Sequence, residues 1–183
     1  MTDDPRAKWN ARYAGRGQLP FERPPSDWVT EHRGLIAGRL PGRALDVACG
    51  GGRNAFFLAE MGFEVGAIDV SDVAIEGVAR TASRRDLDVT AIRADLEVVS
   101  FPRPPYRVVL VLNYLQRSLF ANLADALDPG GLVVFETWSD DRSRPRFSLR
   151  PGELRAAFAG LEVLAYREDP EARRAGIVAR RTY

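Results

Sequence analysis

The chain has 183 residues, 45% of them hydrophobic and 28% charged, which is the size and composition of one soluble globular domain. Its formal net charge of +1 gives no basic surface of the kind that binds nucleic acid. One cysteine and one histidine exclude an internal disulfide and a zinc site of the usual kind, and no apolar run reaches the ~20 residues of a membrane span. We therefore expect a cytoplasmic protein without metal, nucleic-acid or membrane partners.

The N-terminal part differs in composition from the rest. Residues 1–25 are rich in charge, glycine and proline and predict an irregular arm, which precedes a single domain over residues 26–183. Ser26 is a potential N-cap for a helix over residues 27–40, which Pro41 and the following glycine end.

From residue 43 onward, short apolar runs alternate with helical patterns. The predicted strands are 43–48, 63–70, 87–93, 108–113 and 132–137. The predicted helices are 54–61, one that Ser71 caps, 117–127 and 151–158. Residues 161–168 and 176–183 are predicted to pair as an antiparallel hairpin. This order predicts a doubly wound α/β domain with a mostly parallel, seven-stranded sheet and an antiparallel end, and its ligand is expected beyond the carboxyl ends of the strands.

A glycine turn follows the first predicted strand. Gly50-Gly51-Gly52-Arg53-Asn54-Ala55 satisfies the dinucleotide pattern G-x-G-x-x-G/A, and Asp69 lies where a ribose-binding acid is expected. This pattern alone is compatible with a nicotinamide cofactor, or with a purely structural turn. Asp46 counts against a pyrophosphate, because a carboxylate before the turn repels an anion and attracts an ammonium group. S-adenosylmethionine fits better, since it has a cationic end, a ribose and an adenine in that order.

The stretch Asp46-Val47-Ala48-Cys49-Gly50-Gly51-Gly52 resembles the first motif of the class I S-adenosylmethionine-dependent methyltransferases, with Ala48 in place of the usual first glycine. Asp69, Ala94-Asp95-Leu96 and Pro129-Gly130-Gly131 extend the resemblance over nearly the whole chain. More narrowly, CGGGRNAFFLAEMGFEV, VLNYLQRSLF, PGGLVVFET and FSLRPGELRAAF are similar to the tellurite-resistance (TehB-like) branch, near the thiopurine methyltransferases. The resemblance implies a Rossmann-like methyltransferase fold, S-adenosylmethionine as cofactor and S-adenosylhomocysteine as product.

The resemblance also implies a cofactor site. Gly50 and Gly52 would admit the methionine part, and Asp46 would face its ammonium group. Asp69 would accept hydrogen bonds from the ribose, and Asp95 would accept one from the adenine amino group. Each has a structural alternative: turn glycines, a local cap, the flank of a helix, or a loop aspartate. The predicted cofactor-binding residues are Trp9, Tyr13, Asp46, Ala48, Cys49, Gly50, Gly52, Arg53, Asn54, Asp69, Val70, Asp95, Leu96 and Asn113.

Several of these residues have a second interpretation. Cys49 is interpreted as a small packed residue rather than a nucleophile. Arg53 and Asn54 bind either the cofactor carboxylate or only the loop. Trp9 and Tyr13, four residues apart in the arm, either lie beside the sulfonium, as in the resembled branch, or staple the arm to the core.

The acceptor site is predicted near the end of the fourth strand and the long polar loop after the fifth. Its candidates are Tyr114, Arg117, Arg142, Arg144 and Arg146, where the arginines would hold an anion or are solvated charges. We therefore predict methyl transfer to a small molecule, with a chalcogen oxyanion or a thiol as the candidate acceptor. A nicotinamide-dependent oxidoreductase and a non-catalytic cofactor-binding protein remain alternatives. We expect a monomer or homodimer in which residues 1–25 form a lid.

Overall fold

A computed structural model describes residues 4–15, 23–99, 102, 105–140 and 145–182. The strands are β1 (Arg43–Val47), β2 (Glu64–Asp69), β3 (Val89–Arg93), β4 (Tyr106–Leu112), β5 (Leu127–Trp138), β6 (Glu162–Asp169) and β7 (Arg174–Arg180). The α-helices are α1 (Pro5–Ala14), α2 (Asp27–Glu31), α3 (Arg33–Ala37), α4 (Arg53–Glu60), α5 (Asp72–Arg84), α6 (Phe120–Asp125) and α7 (Glu153–Ala157). Within these ranges, no helix combines the length and the apolar character needed to cross a membrane.

The strands form one sheet in the order β3-β2-β1-β4-β5-β7-β6. The five strands from β3 to β5 are parallel, whereas β7 is antiparallel to both β5 and β6. This arrangement confirms the predicted doubly wound α/β fold with an antiparallel end. It also brings the carboxyl ends of β1, β2 and β4 to one edge of the sheet, where a ligand of such a fold binds.

The centre of the sheet is β4, which lies between β1 and β5. Its apolar run is buried on both faces, as a central parallel strand requires. One face packs on α6 and α7, where the rings of Phe120, Phe135 and Phe158 meet at centroid distances of 5.6–6.2 Å. The other face packs on α2 to α5, so the sheet separates two apolar layers.

The predicted irregular arm is wrong for part of its length, because residues 5–14 form helix α1. The side chain of Asp4 accepts a hydrogen bond from the backbone of Arg6, and Pro5 occupies the first turn, where its missing N–H costs nothing. Charge, glycine and proline content alone did not reveal this short capped helix. The lid assigned to residues 1–25 falls partly outside the described residues, which omit 1–3 and 16–22.

Two predicted helices are shorter than expected. The helix over residues 27–40 is divided into α2 and α3 at His32, whose Nδ1 lies 2.8 Å from the carbonyl oxygen of Trp28 and whose ring lies 4.2 Å from the indole. His32 is therefore half-buried. The helix over residues 117–127 becomes a 3₁₀ turn followed by α6, because Leu127 already pairs with Tyr106 in the sheet.

A close contact between Trp28 and Gly176 predicts a destabilising substitution. A Cβ atom on Gly176 would lie 2.7–3.0 Å from the buried indole of Trp28, so Gly176→Ala requires the helix or the strand to move. We expect a loss of about 1–3 kcal/mol in the free energy of unfolding, measured by urea denaturation. Gly160→Ala, which meets no atom within 4 Å, is the matched control and should change stability little. Equal effects of both substitutions would contradict the packing argument.

Candidate active site

The glycine turn between β1 and α4 is built from residues in the left-handed conformation. Ala48, Gly50 and Gly52 have φ values of 54°, 55° and 79°. Two backbone hydrogen bonds close the turn, one from Gly52 N–H to the Cys49 carbonyl and one from Cys49 N–H to the carbonyl of Ile68 on β2. The departure of Ala48 from the usual glycine therefore falls on a position where an L-residue is strained.

Both glycines are required by close neighbours. A Cβ atom on Gly52 would lie 2.8 Å from Val78 on α5 and 3.0 Å from the ring of Phe56. A Cβ atom on Gly50 would lie 2.5 Å from the hydroxyl of Tyr13 on α1. Gly52 thus lets the turn pack against two helices, whereas Gly50 lets Tyr13 of α1 approach the turn closely.

Asp46 is a buried carboxylate beneath this turn. Its side chain is 1% exposed, and its Oδ2 atom has no hydrogen-bond partner in the described part of the chain. Burial raises the pKa of Asp46 to about 7, and nearby Asp69 acts in the same direction, while a backbone hydrogen bond from Ala55 and the charge of Arg53 oppose the rise. A buried acceptor without a partner fits a cationic hydrogen-bond donor such as an ammonium group.

Asp69, at the end of β2, joins three segments. Its Oδ2 accepts a hydrogen bond from Gly50 N–H and its Oδ1 accepts one from Ser71 N–H, both at 2.9 Å. Burial raises the pKa of Asp69, and these backbone donors oppose that rise. Each oxygen keeps a lone pair, so the carboxylate holds the turn and the start of α5 and can still accept from a ribose. Val70, which follows Asp69, is half-buried.

The predicted adenine-binding residues lie after β3. Asp95 Oδ1 accepts a hydrogen bond from Glu97 N–H at 2.9 Å, which is the structural role of a loop aspartate. Leu96 is buried, and its carbonyl accepts a hydrogen bond from Gln116 Nε2 at 3.0 Å. Gln116 also accepts a hydrogen bond from the hydroxyl of Tyr114. The segment after β3 is therefore linked to the segment after β4 through one glutamine, which the sequence analysis did not single out.

Two predicted residues of the turn contact the segment before α2. Asn54 Oδ1 accepts a hydrogen bond from Ser26 N–H at 2.9 Å, and its side chain is buried. Arg53 Nη1 donates to the carbonyl of Pro24 at 3.3 Å. Of the two roles left open, the structure shows contacts with the chain itself. Burial raises the pKa of Cys49, so its thiol is protonated, in accord with a packed residue.

Helix α1 docks on the start of α5 through Asn10, a residue that the sequence analysis missed. Asn10 Oδ1 accepts from Ser71 Oγ at 2.7 Å, and Asn10 Nδ2 donates to Asp72 Oδ2 at 3.0 Å. Arg6 pairs with the same carboxylate at 2.6 Å and, by this hydrogen bond, lowers the pKa of Asp72 to about 2. This docking places Tyr13 over Gly50.

Trp9, the second predicted aromatic residue of the arm, stacks on Tyr13. The two ring centroids are 5.9 Å apart, and both rings are half-buried. The guanidinium of Arg12 lies 5.1 Å from the centroid of the Trp9 ring. The aromatic pair therefore forms one face of α1 at the glycine turn.

Of the acceptor-site candidates, the structure describes Tyr114, Arg117 and Arg146, and a hydrogen bond joins Arg117 to the backbone of Arg146. Arg117 donates to Glu153 and to the carbonyls of Arg146 and Ser148, so it links residues 146–148 to the start of α7. Arg146 is exposed, with its guanidinium 5.7 Å from the centroid of the Phe147 ring. Arg142 and Arg144 lie outside the described residues. Burial raises the pKa of Tyr114 well above its ordinary value, and Asn113 instead meets Arg174, which the sequence analysis missed.

A groove of about 400 Å³ lies at a different place, between α3 and the end of α4. It is lined by Arg33, Gly34, Ala37, Leu40, Glu60 and Met61. None of these is a predicted site residue, so the strand ends, rather than this groove, define the candidate site. In the described ranges, no cluster of three or more histidine, cysteine or acidic side chains is arranged to hold a metal ion.

Comparison with known proteins agrees with this geometry. The family described as a methyltransferase domain matches residues 44–131. TehB of Haemophilus influenzae (strain 10810) is 26% identical over 140 residues, which are 70% of this chain and 49% of that protein. A ubiquinone biosynthesis O-methyltransferase of Azoarcus sp. (strain BH72) is 34% identical over 119 residues, which are 61% of this chain and 48% of that protein. The chain spans about half the length of these curated relatives.

Solved structures share the fold over nearly the whole chain. The crystal structure of TehB from Haemophilus influenzae matches with a TM-score of 0.75 at 18% identity, over 95% of this chain and 67% of that one. Magnesium protoporphyrin IX methyltransferase (ChlM) from Synechocystis PCC 6803, solved with bound SAM, matches with a TM-score of 0.75 at 16% identity, over 97% of this chain and 95% of that one.

The methyltransferase-domain match over residues 44–131 and the shared fold agree with the class I methyltransferase and the S-adenosylmethionine cofactor expected from the sequence. TehB of Haemophilus influenzae is similar to this chain in both sequence and fold. The residues present also fit the cofactor: Asp46 offers a buried acceptor to an ammonium group, and Asp69 retains acceptor capacity for a ribose.

The left-handed Ala48 predicts a substitution that removes strain. A left-handed L-residue costs roughly 1–2 kcal/mol, while glycine loses about 0.5–1 kcal/mol of chain entropy, so Ala48→Gly should leave stability unchanged or raise it by up to about 1 kcal/mol. Ala79→Gly, on the exposed face of α5, is the control and should cost about 1 kcal/mol. Urea denaturation measures the free energy of unfolding of both variants. If Ala48→Gly lowers it as much as Ala79→Gly does, the backbone at Ala48 is not strained.

Proposed function

We propose that the chain transfers the methyl group of S-adenosylmethionine to a soft nucleophilic atom of a small molecule, such as a thiol or a chalcogen oxyanion. The observation that carries this proposal is the partnerless carboxylate oxygen of Asp46 under a left-handed glycine turn. When bound, S-adenosylmethionine supplies an electrophilic methyl group, whose transfer to a lone pair breaks the carbon–sulfur bond and leaves S-adenosylhomocysteine.

The protein's part in this chemistry is to bind and orient. Asp46 accepts from the ammonium group, Asp69 from the ribose hydroxyls, and the segment around Leu96 packs along the adenine. Trp9 and Tyr13 cover the turn from the arm, where an aromatic face beside a sulfonium gains roughly 0.5–2 kcal/mol. Alignment of the acceptor with the methyl–sulfur bond then supplies much of the rate.

The choice of a soft nucleophile is supported by the side chains at the ends of β4 and β5. A hydroxyl or amine acceptor needs a base with a pKa near the working pH. Tyr114 is kept protonated by burial and donates to Gln116, and Glu136 is held between two arginines. A thiolate or an oxyanion of selenium or tellurium has a free lone pair and needs no such base.

A nicotinamide cofactor is disfavoured by the same carboxylate. A dinucleotide turn presents N–H groups to a pyrophosphate, and a buried, partnerless acceptor beneath it would repel the anion. Enzymes of unrelated chemistry share such glycine turns, so Asp46, rather than the glycine pattern, is the residue that favours S-adenosylmethionine over a dinucleotide.

Comparison of two ligands tests the proposed function. S-adenosylhomocysteine at 100 times its dissociation constant should stabilise the protein by about 2.7 kcal/mol, which is measured as a rise in melting temperature. NAD at the same concentration should give no rise. A rise with NAD and none with S-adenosylhomocysteine would refute the proposal.

Asp46→Asn separates the charge from the shape. In the free protein the raised pKa means that folded Asp46 holds a proton that unfolded Asp46 releases between about pH 4 and 7. The contribution of Asp46 to the free energy of unfolding therefore falls as the pH rises through that window, by about 1.4 kcal/mol for each unit of the pKa shift. The asparagine variant should be more stable than the wild type at pH 8 without ligand, yet it should bind S-adenosylhomocysteine at least tenfold more weakly.

The control for this experiment is Asp125→Asn, an exposed side chain at the end of α6. It should leave both the pH dependence and the ligand affinity unchanged. The wild type should also bind S-adenosylhomocysteine more tightly as the pH rises through 7, because binding favours ionised Asp46. Equal affinity of wild type and Asp46→Asn at pH 8, measured by calorimetry, would remove Asp46 from the site.

The arm is proposed to be a lid that the cofactor holds down. Backbone amides of α1 should exchange more slowly when S-adenosylhomocysteine is added, as measured by hydrogen exchange with mass spectrometry. Asn10→Ala, which removes the docking contacts to Ser71 and Asp72, should speed this exchange and weaken ligand binding. Exchange that is identical with and without ligand would instead favour Trp9 and Tyr13 as staples to the core.

A further inference from the structure

Asn113 occupies an unusual position at the end of β4. It is exposed and left-handed, with φ of 60°, and its backbone N–H donates to the carbonyl of Glu136 on β5 at 2.8 Å. Asparagine tolerates this conformation better than other L-residues that carry a side chain of similar size. The side chain therefore leaves the sheet at the edge where the methyl group is expected.

The amide of Asn113 is oriented by one arginine. Arg174 Nη1 donates to Asn113 Oδ1 at 2.7 Å. Because a guanidinium has donors only, the atom facing Arg174 must be the carbonyl oxygen. The NH₂ group of Asn113 then points away from Arg174, and its two N–H donors have no partner among the residues that the structure describes.

Arg174 is itself held by a chain of alternating charges. Glu136, which is 6% exposed, pairs with Arg174 at 2.6 Å and with Arg167 at 3.2 Å, and Arg167 pairs with Glu31 at 3.3 Å. The guanidinium of Arg174 also lies 4.7 Å from the centroid of the Trp138 ring. A planar cation with a buried carboxylate on one side and an indole against it has little freedom to move.

The site therefore offers two amide donors beside a fixed cation, with the half-exposed indole of Trp138 as an apolar surface. We propose that Asn113 selects a methyl acceptor that carries an anionic oxygen group, and that Arg174 is the positioning residue for its amide. This inference rests on the proposed methyl transfer and specifies its acceptor. An organic carboxylate and an inorganic chalcogen oxyanion share the required chemistry, whereas a cationic amine does not.

The test compares two probes of similar shape, the anion 4-(methylthio)benzoate and the uncharged 4-(methylthio)benzamide. Each is titrated into protein saturated with S-adenosylhomocysteine. We expect the benzoate to bind the wild type at least tenfold more tightly than the benzamide. Asn113→Asp keeps an acceptor for Arg174 but removes both donors, so this preference should fall at least tenfold. A separate titration with selenite distinguishes an organic carboxylate from an inorganic oxyanion. If selenite binds the wild type and Asn113→Asp abolishes this binding, the subsite accepts inorganic oxyanions as well.

Arg174 is tested through the same preference. Arg174→Met keeps the length of the side chain without its donors and should lower the preference as Asn113→Asp does, while Arg174→Lys should restore at least part of it. Arg180→Met is the matched control, because it breaks an ion pair with Glu162 at the other end of β7 and should leave the preference unchanged.

The outcomes separate the two proposals. Affinity for S-adenosylhomocysteine should be within twofold of the wild type in the Arg174→Met and Arg180→Met variants, which change no residue predicted to bind the cofactor. Failure of the wild type to bind S-adenosylhomocysteine would refute the proposed function, and this inference with it. Normal binding of S-adenosylhomocysteine with equal or absent binding of both probes would overturn the inference alone, and so would an Asn113→Asp variant that loses S-adenosylhomocysteine but keeps its probe preference.

Discussion

The carboxylate of Asp69 is the contact on which the site depends. It receives one N–H group from the glycine turn and one from the start of α5, so a single side chain at the end of β2 fixes the ends of two neighbouring segments. The glycine turn leads directly into α4 and covers Asp46. The start of α5 provides the surface on which α1 docks. Loss of the Asp69 carboxylate would therefore disturb helix α1 as well as the glycine turn, because α1 docks on the start of α5, which Asp69 holds.

A second organising element lies on the other side of β4. There the chain of Glu31, Arg167, Glu136 and Arg174 links α2, β6, β5 and β7 and ends at Asn113. Isolated surface ion pairs contribute little to stability, but a network around a buried carboxylate holds its members in one geometry. The two halves of the proposed site are thus built differently: backbone donors shape the proposed cofactor side, and side-chain charges shape the proposed acceptor side.

The sequence predicted the fold well because apolar runs and glycine turns are local signals. Alternation of strands and helices, the buried run of β4 and the position of Asp69 all follow from residues close together in the chain. The prediction from sequence failed where contacts between residues far apart in the chain determine the local structure. Asn10 of α1 bonds to the start of α5, His32 breaks a helix by contacting Trp28, and Arg117 pairs with Glu153. Arg174 could not be predicted as a partner of Asn113, since nothing local in the sequence relates the two residues.

The position of β7 between β5 and β6 has a consequence for the order in which the sheet is completed. As the chain is synthesised, β5 and then β6 emerge before the strand that separates them. Until residues 174–180 are made, the outer edge of β5 presents unpaired backbone groups. The nascent protein therefore passes through a stage with an open sheet edge, which is when a chaperone or a second nascent chain has access to it.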